Sequence, residues 1–225
     1  SAQRNFLTFS VYSTMFPYTS AGPIVRYTDI ETQLKQRTIN ISKFGIGAEL
    51  FVKGLAKKVL LADNLSVLYS SICGHPQMSV FTSWLGILAY TMQLYFDFSG
   101  YSDMAIGLGK MLGFDFNKNF DYPYISTSVS EFWRRWHISL GSWFRDYIYI
   151  PLGGNRVSTL KHIRNILVVW ALTGLWHGAS WNFVLWGVYY GLFLLLEKFV
   201  LQKYLKKIPS WLCTVYTMLV VMIGW

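Results

Sequence analysis

The sequence predicts an all-α, polytopic helical membrane protein, and three features of its composition and patterning support this fold class. Only 14% of the residues are charged, against roughly 25% in soluble domains, while 53% are hydrophobic. Aromatic residues, which gather at membrane interfaces, make up 18% of the chain. From Asn165 to Leu196 there is no Asp, Glu, Lys or Arg. A straight helix of that length would reach roughly 48 Å, against a hydrocarbon core of roughly 30 Å.

Six apolar segments, separated by basic or turn-forming residues, are expected to form the helices of this fold. The first contains Pro17 and then Gly22-Pro23, so it should kink or end as a short re-entrant piece. Lys57-Lys58 suits a helix that enters the membrane with its lysines snorkelling. The third segment is the cleanest span because no charge interrupts it. In chain order the segments are Phe6–Val25, Val59–Cys73, Val80–Phe96, Ile163–Trp176, Ala179–Phe199 and Trp211–Trp225.

The long charge-free run must tilt strongly, protrude or break, and two glycine-containing pairs are the natural places for a break. Glycine tolerates backbone conformations that open a helix, which favours Thr173-Gly174 and His177-Gly178. Non-helical backbone at membrane depth survives only against protein or a wet cavity. A titratable imidazole at such a break indicates a functional site, so His177 is the first candidate.

An interfacial amphipathic helix is expected from Ser128 to Ile150, beginning at a capping box formed by Ser128 and Glu131. At about 100° per residue, its apolar and polar residues fall on opposite faces, as in helices that lie in the membrane interface. His137 is on the apolar face and should point to the interior. The apolar face comprises Phe132, Trp133, Trp136, Leu140, Trp143, Phe144 and Tyr147, and the polar face comprises Arg134, Arg135, Ser139, Ser142, Arg145 and Asp146.

The charge distribution indicates a membrane surface as the partner of the basic residues. The net charge is +9, and the 20 basic residues cluster between apolar runs, as in cytoplasmic loops that face anionic lipid. We therefore expect no nucleic-acid partner. The two cysteines, Cys73 and Cys213, suggest neither a disulfide framework nor a metal site, and no bound metal is expected. Because both ends look cut, residues 1–225 are expected to form one membrane domain truncated at both ends.

The histidines are the main candidates for chemistry. His177 could act as a general base that takes a proton from a hydroxyl as the hydroxyl attacks an activated acyl group. The alternative is a packing histidine that hydrogen-bonds a carbonyl freed by the helix break. His137 is the second candidate, and its alternative is an interfacial histidine beside tryptophans. His75 and His162 are expected to be ordinary loop residues.

Two carboxylates, Asp97 and Asp103, follow the cleanest span and leave two interpretations open. They could form a proton relay or orient a histidine. Alternatively, Ser102 and Asp103 could cap a new helix over Met104–Met111, and this structural role is the one we favour.

Four segments taken together resemble the membrane-bound O-acyltransferase (MBOAT) family, in order and in spacing. Their similarity covers nearly the whole chain and is greatest to the bacterial branch of alginate O-acetyltransferase membrane subunits, with peptidoglycan-acetylating and teichoic-acid relatives close by. The segments are Phe16-Pro17 with 21–27 (AGPIVRY), 95–103 (YFDFSGYSD), 131–140 (EFWRRWHISL) and 175–178 (LWHG).

This resemblance implies a funnel-shaped, multi-helix fold in the bacterial cell membrane that transfers an acyl group from a thioester donor. The near-invariant histidine of the family maps onto His177, and its second histidine maps onto His137. No cofactor is expected to be bound, and the implied donor is acetyl-CoA or another acyl thioester. In this branch the acyl group passes to an extracytoplasmic partner protein that acetylates a polysaccharide. From the residues themselves, Trp176, Asp97, Asp103, Arg134 and Arg135 are the candidates for substrate contacts. The two arginines could meet donor phosphates if the donor is acetyl-CoA, or they could anchor the amphipathic helix to lipid by snorkelling.

Two other functions remain open from the sequence. A non-catalytic transporter or channel could use the broken helix as a path for a substrate or for protons. Alternatively, His137 and His177 could ligate a haem. The first would move substrate without forming an acyl product, and the second would give a coloured protein.

Overall fold

The computed structural model describes residues 5–19 and 22–225, and all the regular secondary structure in these residues is helical. This confirms the predicted all-α class. Ala21, which belongs to the first of the four motifs, lies outside the described residues. The chain divides into two compact units, Ser1–Asn119 and Phe120–Trp225.

The first unit is built around two long helical paths. The first apolar segment forms two short helices instead of one span, because Pro17 and the Gly22-Pro23 pair interrupt it. A π-helical segment, Lys57–Ala62, connects the helix that ends at Ala56 to the helix that begins at Asp63, so the backbone stays helical throughout. The α-helices of this unit are α1 (Phe6–Ser13), α2 (Phe16–Thr19), α3 (Tyr27–Lys35), α4 (Ile41–Ala56), α5 (Asp63–Cys73) and α6 (Val80–Met111).

Helix α4 packs closely on α6 because small residues face each other. A Cβ atom at Gly47 would lie 2.6 Å from the carbonyl oxygen of Gly107, so no larger residue fits without moving a backbone. Ser99 and Ser102 of α6 are also buried. Helix α6 is 32 residues long and therefore continues well beyond the predicted span Val80–Phe96.

Ion pairs explain why α6 continues through its two carboxylates. The Asp103 carboxylate lies 2.6 Å from the Lys57 ammonium, and the Asp97 carboxylate lies 2.7 Å from the Lys58 ammonium. The favoured role of Asp103 as the cap of a new helix is therefore wrong, because the residue is inside a helix. The expectation that the two lysines snorkel to the membrane interface stays a prediction.

The second unit places short and long helices around an aromatic core. Val129, Tyr190 and Val220 form the buried centre of this core, with Trp133 and Trp170 packed against it. The α-helices are α7 (Val129–Arg135), α8 (Ile138–Phe144), α9 (Thr159–His177), α10 (Trp181–Leu196), α11 (Gln202–Leu205) and α12 (Ser210–Gly224). They are accompanied by a 3₁₀ turn, Pro123–Ile125, and by the π-helical segments Arg145–Tyr149 and Glu197–Leu201.

The prediction of a single amphipathic helix from Ser128 to Ile150 is wrong, because the helix breaks at Trp136-His137. Trp136 is extended, and His137 adopts a left-handed conformation with φ 45° and ψ 54° before α8 begins. Helical periodicity identified the inward face only in part. Phe132, His137 and Leu140 are buried, but Tyr147 of the predicted apolar face is 57% exposed and Ser139 of the predicted polar face is buried. Because Phe132, His137 and Leu140 pack inside the protein, their burial offsets the cost of the break between α7 and α8.

The expected capping box is only half formed. The Ser128 hydroxyl accepts a hydrogen bond from the Glu131 N–H at 3.0 Å, as predicted. The Glu131 carboxylate bonds the backbone N–H and hydroxyl of Thr127 instead of the Ser128 N–H.

One helical path in the described part of the chain, Trp181–Leu205, is long and apolar enough to cross a membrane. Trp181 and Leu185 expose 80% and 63% of their surface, as expected for a helix in contact with lipid. Ser210–Gly224 is apolar but shorter. The larger number of spans and the funnel shape expected from the sequence remain predictions.

Candidate active site

The C-terminal end of α9 positions the first candidate residue. Helix α9 ends at His177, Gly178 is extended, and Ser180 caps the start of α10. The helix within the charge-free run therefore breaks at His177-Gly178, which is one of the two predicted positions. The other predicted break is wrong, because Thr173-Gly174 is inside α9. A Cβ at Gly174 would collide with the Phe183 carbonyl, so glycine lets the two helices pack with their backbones in contact.

A cavity of about 580 Å³ in the second unit brings both candidate histidines together. Its volume falls within the range of roughly 300–1,000 Å³ that is typical of small-molecule sites. Its wall is mainly apolar and aromatic, with few polar groups. Among the residues that line it are Trp133, Arg134, His137, Trp170, Thr173 and His177.

His137 is buried in a constrained conformation between α7 and α8. Its side chain is 6% exposed, and its backbone is left-handed, which for a residue other than glycine costs on the order of 1–3 kcal/mol. The Ser139 hydroxyl lies 3.4 Å from Nδ1. Burial, and to a lesser extent repulsion from His177, lowers the pKa of the His137 imidazole to about 3. The ring is therefore neutral at physiological pH.

His177 is more accessible than His137 and is held by aromatic contacts. Its ring centroid lies 4.9 Å from that of Trp176 and 5.1 Å from that of Trp186, both edge-on. Among the described residues, no hydrogen-bond partner is found for either of its ring nitrogens. The alternative in which His177 packs by bonding a freed carbonyl therefore finds no support.

The other expected site residues separate into two groups. Trp176 has its ring 6.2 Å from that of His137, and Arg134 lines the cavity. Arg135 is instead held by a carboxylate and a backbone carbonyl: its Nη2 lies 2.9 Å from the Glu131 carboxylate, and its Nη1 donates to the Asp121 carbonyl oxygen at 3.0 Å. The expectation that Arg135 meets donor phosphates stays a prediction. Asp97 and Asp103 belong to the first unit, where they pair with lysines.

Sequence reasoning missed several residues of the cavity wall that a helical pattern could have identified. Ile166, Trp170, Thr173 and His177 recur at intervals of three and four along α9, so they share one face, and all line the cavity. Tyr149, which lies in a π-helical segment, also lines it, and no simple pattern predicts its position.

The two remaining histidines have different outcomes. His75 lies in an exposed turn, as expected, with its Nδ1 3.0 Å from the Gln77 carbonyl oxygen. The assignment of His162 to a loop is wrong, because it lies in α9 and is only 5% exposed. Its Nε2 is 3.0 Å from the Tyr149 hydroxyl and 3.1 Å from the Lys198 ammonium.

Cys73 and Cys213 are both free. Within residues 5–19 and 22–225, no three His, Cys, Asp or Glu side chains are grouped so as to hold a metal ion. The sequence-based expectation of a metal-free site stays a prediction.

Comparison with known proteins assigns the chain to a family. The model of the membrane-bound O-acyltransferase family matches residues 2–223. The chain is 47% identical over 224 residues to the "Probable alginate O-acetylase AlgI" of Azotobacter vinelandii, covering 100% of this chain and 45% of that protein. It is 38% identical over 222 residues to the "Peptidoglycan O-acetyltransferase" of Helicobacter pylori, covering 93% and 42%.

A more distant match is the "Teichoic acid D-alanyltransferase" of Bacillus subtilis, 31% identical over 212 residues and covering 85% of this chain and 51% of that protein. The chain thus spans about half the length of the relatives it matches. The family match over nearly all residues agrees with the resemblance read from the four motifs. The chain belongs to the membrane-bound O-acyltransferase family.

Proposed function

We propose that this protein transfers an acetyl group from a thioester donor towards a polysaccharide hydroxyl outside the cell, with His177 as the general base. The observation that carries the proposal is the location of His177 and His137 on one apolar cavity, with the His177 ring nitrogens unoccupied by the described residues. Such a nitrogen is available to a substrate proton.

The reaction follows from this arrangement. A ring nitrogen of His177 takes the proton of an acceptor hydroxyl while the oxygen attacks the thioester carbonyl carbon. The new C–O bond forms, the C–S bond breaks, and the departing thiolate takes the proton from the imidazolium. General-base assistance of this kind contributes on the order of 10²- to 10⁴-fold in rate.

His137 supports the same step in a different role. Because its imidazole is neutral, the ring carries one N–H that can donate to the acyl carbonyl oxygen as negative charge develops there. Its constrained backbone fixes the direction of that donor. Trp176, beside both rings, would limit the space open to the acyl group.

The donor and acceptor are inferred from chemistry and from the relatives. Arg134 on the cavity wall offers a cation to the phosphates of acetyl-CoA or of another acyl thioester. Relatives named for alginate, peptidoglycan and teichoic acid point to a polymer of the cell envelope as the final acceptor. We propose a multi-pass protein of the bacterial cell membrane that works with an extracytoplasmic acetyltransferase.

The decisive experiment replaces His177 by alanine and follows donor thioester cleavage together with the acylated product in membranes. His177→Ala should lower the rate by at least about 100-fold, while expression and detergent stability persist. His75→Ala, which changes an exposed turn histidine, is the matched control and should leave the rate unchanged. Unchanged acetylation in His177→Ala would refute the proposal, and donor transport without any acyl product would favour the transporter alternative.

A further inference from the structure

A second cavity, of about 540 Å³, lies in the same unit on the other side of Arg134. It is formed where the start of α7 meets the π-helical segment Glu197–Leu201, α11 and the beginning of α12. About half of its lining is polar, whereas the lining of the histidine cavity is mostly apolar. The lining groups that matter for ligand choice are Arg134, Lys198, Lys206, the hydroxyls of Ser128 and Ser130, and the Glu197 carboxylate.

The charges in this cavity favour an anion. Among the described residues that line the cavity, Glu197 is the one carboxylate beside three cations, and it is 3% exposed. Its oxygens already accept hydrogen bonds from the Val129 N–H at 2.6 Å and from the N–H and hydroxyl of Ser130 at 2.9 Å. These bonds hold the carboxylate at the start of α7, and among the described residues no ion pair joins it to the three cations.

The cations themselves are available. The side chains of Arg134 and Lys206 have no hydrogen-bond or ion-pair partner among the residues that the structure describes. The Lys198 ammonium lies 3.1 Å from His162 Nε2. When this nitrogen accepts the hydrogen bond the imidazole is neutral, so it does not compensate the positive charge of Lys198. A cavity with three such cations and the Ser128 hydroxyl, which accepts from Glu131 N–H and still has its own proton to donate, matches the acceptor oxygens of a phosphate group.

The position of the cavity distinguishes between sources of phosphate. It lies at the C-terminal end of the membrane-crossing candidate Trp181–Leu205, where lipid headgroups are found. Phe199 and Val200, on the same turn as Lys198, expose 47% and 46% of their surface and offer an apolar surface to acyl chains. Lysines concentrated at this end are typical of the leaflet that holds anionic lipid.

We propose that this cavity binds the phosphate of an anionic phospholipid headgroup, with Lys206 and Lys198 as its principal contacts and Arg134 at its inner wall. The proposal does not rest on the acyl-transfer chemistry, because its principal contacts, Lys206 and Lys198, do not line the histidine cavity. It gives the protein a lipid site next to the histidine cavity, which shares Ser130 and Arg134 with it.

The test measures lipid retained by the purified protein by native mass spectrometry after exchange into mixed micelles of phosphatidylglycerol and phosphatidylcholine. The unsubstituted protein should retain phosphatidylglycerol in preference. Lys206→Gln and Lys198→Gln should each reduce that retention about fivefold, as expected for the removal of one cation near an anionic headgroup. Lys203→Gln removes the same charge from α11 at a residue outside the cavity lining and should leave retention unchanged.

The outcomes separate the possible sources. The proposal would be overturned if the protein retained both lipids equally. It would also be overturned if Lys203→Gln lost as much phosphatidylglycerol as Lys206→Gln and Lys198→Gln, because the lipid would then be held only by nonspecific attraction to the protein's positive charge. Pyrophosphate is added in a parallel arm. A lipid site is supported if pyrophosphate displaces phosphatidylglycerol only at concentrations far above those of the lipid. Tight binding of pyrophosphate without any lipid preference would overturn the proposal in favour of a soluble phosphate ligand.

Discussion

Glu197 and Ser130 are joined by two hydrogen bonds, because one carboxylate oxygen of Glu197 accepts from both the backbone N–H and the hydroxyl of Ser130, each at 2.9 Å. The other oxygen accepts from the Val129 N–H. A negative charge is thus placed at the N-terminus of α7, where the helix dipole and unpaired N–H groups favour it. The contact ties the π-helical segment after α10 to the helix that leads to His137.

Glu197→Gln should destabilise the second unit by about 1–3 kcal/mol, because the amide provides one acceptor oxygen where the carboxylate uses two. The midpoint of thermal unfolding in detergent measures the change. Glu49→Gln, which alters an exposed ion pair on α4, serves as the matched control and should show no measurable shift. Equal stability of the two variants would mean that this buried cap is unimportant.

The backbone of His137 predicts an unusual order of stability among its variants. In a continuous helix, glycine would be about 1 kcal/mol less stable than alanine. At φ 45° alanine carries the steric strain of the left-handed region, so His137→Gly should be at least as stable as His137→Ala. Chemical denaturation of both variants checks the order, and a more stable alanine variant would contradict the break between α7 and α8. Both should lose acyl transfer, because both lack the imidazole.

Burial of the neutral His137 ring also predicts a pH dependence. The pKa is about 3 in the folded protein and near 6.5 in the unfolded chain, so the unfolded chain binds the extra proton below pH 6.5. Stability should therefore fall as the pH is lowered from 6.5, by about 1 kcal/mol at pH 5.5. Unfolding midpoints measured across this range test the effect. His137→Gln, which cannot titrate, should show a correspondingly weaker dependence.

The two ion pairs of α6 should differ in strength. Asp103→Asn removes the partner of the half-buried Lys57 and should destabilise the first unit by about 1–3 kcal/mol. Asp97→Asn should change the stability of the first unit little, because Lys58 is more exposed and still has the Asp63 carboxylate as a partner at 2.8 Å. A double-mutant cycle with Lys57→Gln isolates the pair energy. Loss of acyl transfer in a stable Asp103→Asn protein would instead favour the proton-relay interpretation.

The predictable parts of this fold are those in which local sequence alone determines the backbone. Pro17 interrupts the first segment, and Ser128 caps α7, because each acts through its own chemistry within a few residues. The apolar face predicted for 128–150 was partly correct, since periodicity reports which side chains turn inward along one helix but not past the break at His137, and Tyr147 is exposed. The break at His177-Gly178 was also predicted from glycine next to a histidine in an overlong apolar run.

The errors arise where distant residues decide the outcome. The left-handed turn at His137 is stabilised by burial of its ring, and local helix propensity contains no information about that burial. Helix α6 continues through Asp97 and Asp103 because lysines from another helical path neutralise them. His162 looks like a loop residue among basic neighbours, yet it is buried by contacts from Tyr149 and Lys198.

The backbone contact at Gly174 has a consequence for attempts to engineer this protein. Helices α9 and α10 meet there without an intervening side chain, so the placement of His177 cannot be adjusted by repacking that crossing. Libraries aimed at new donors or acceptors would do better to vary the opposite walls contributed by α7, α8 and Tyr149, and to leave the glycine crossing untouched.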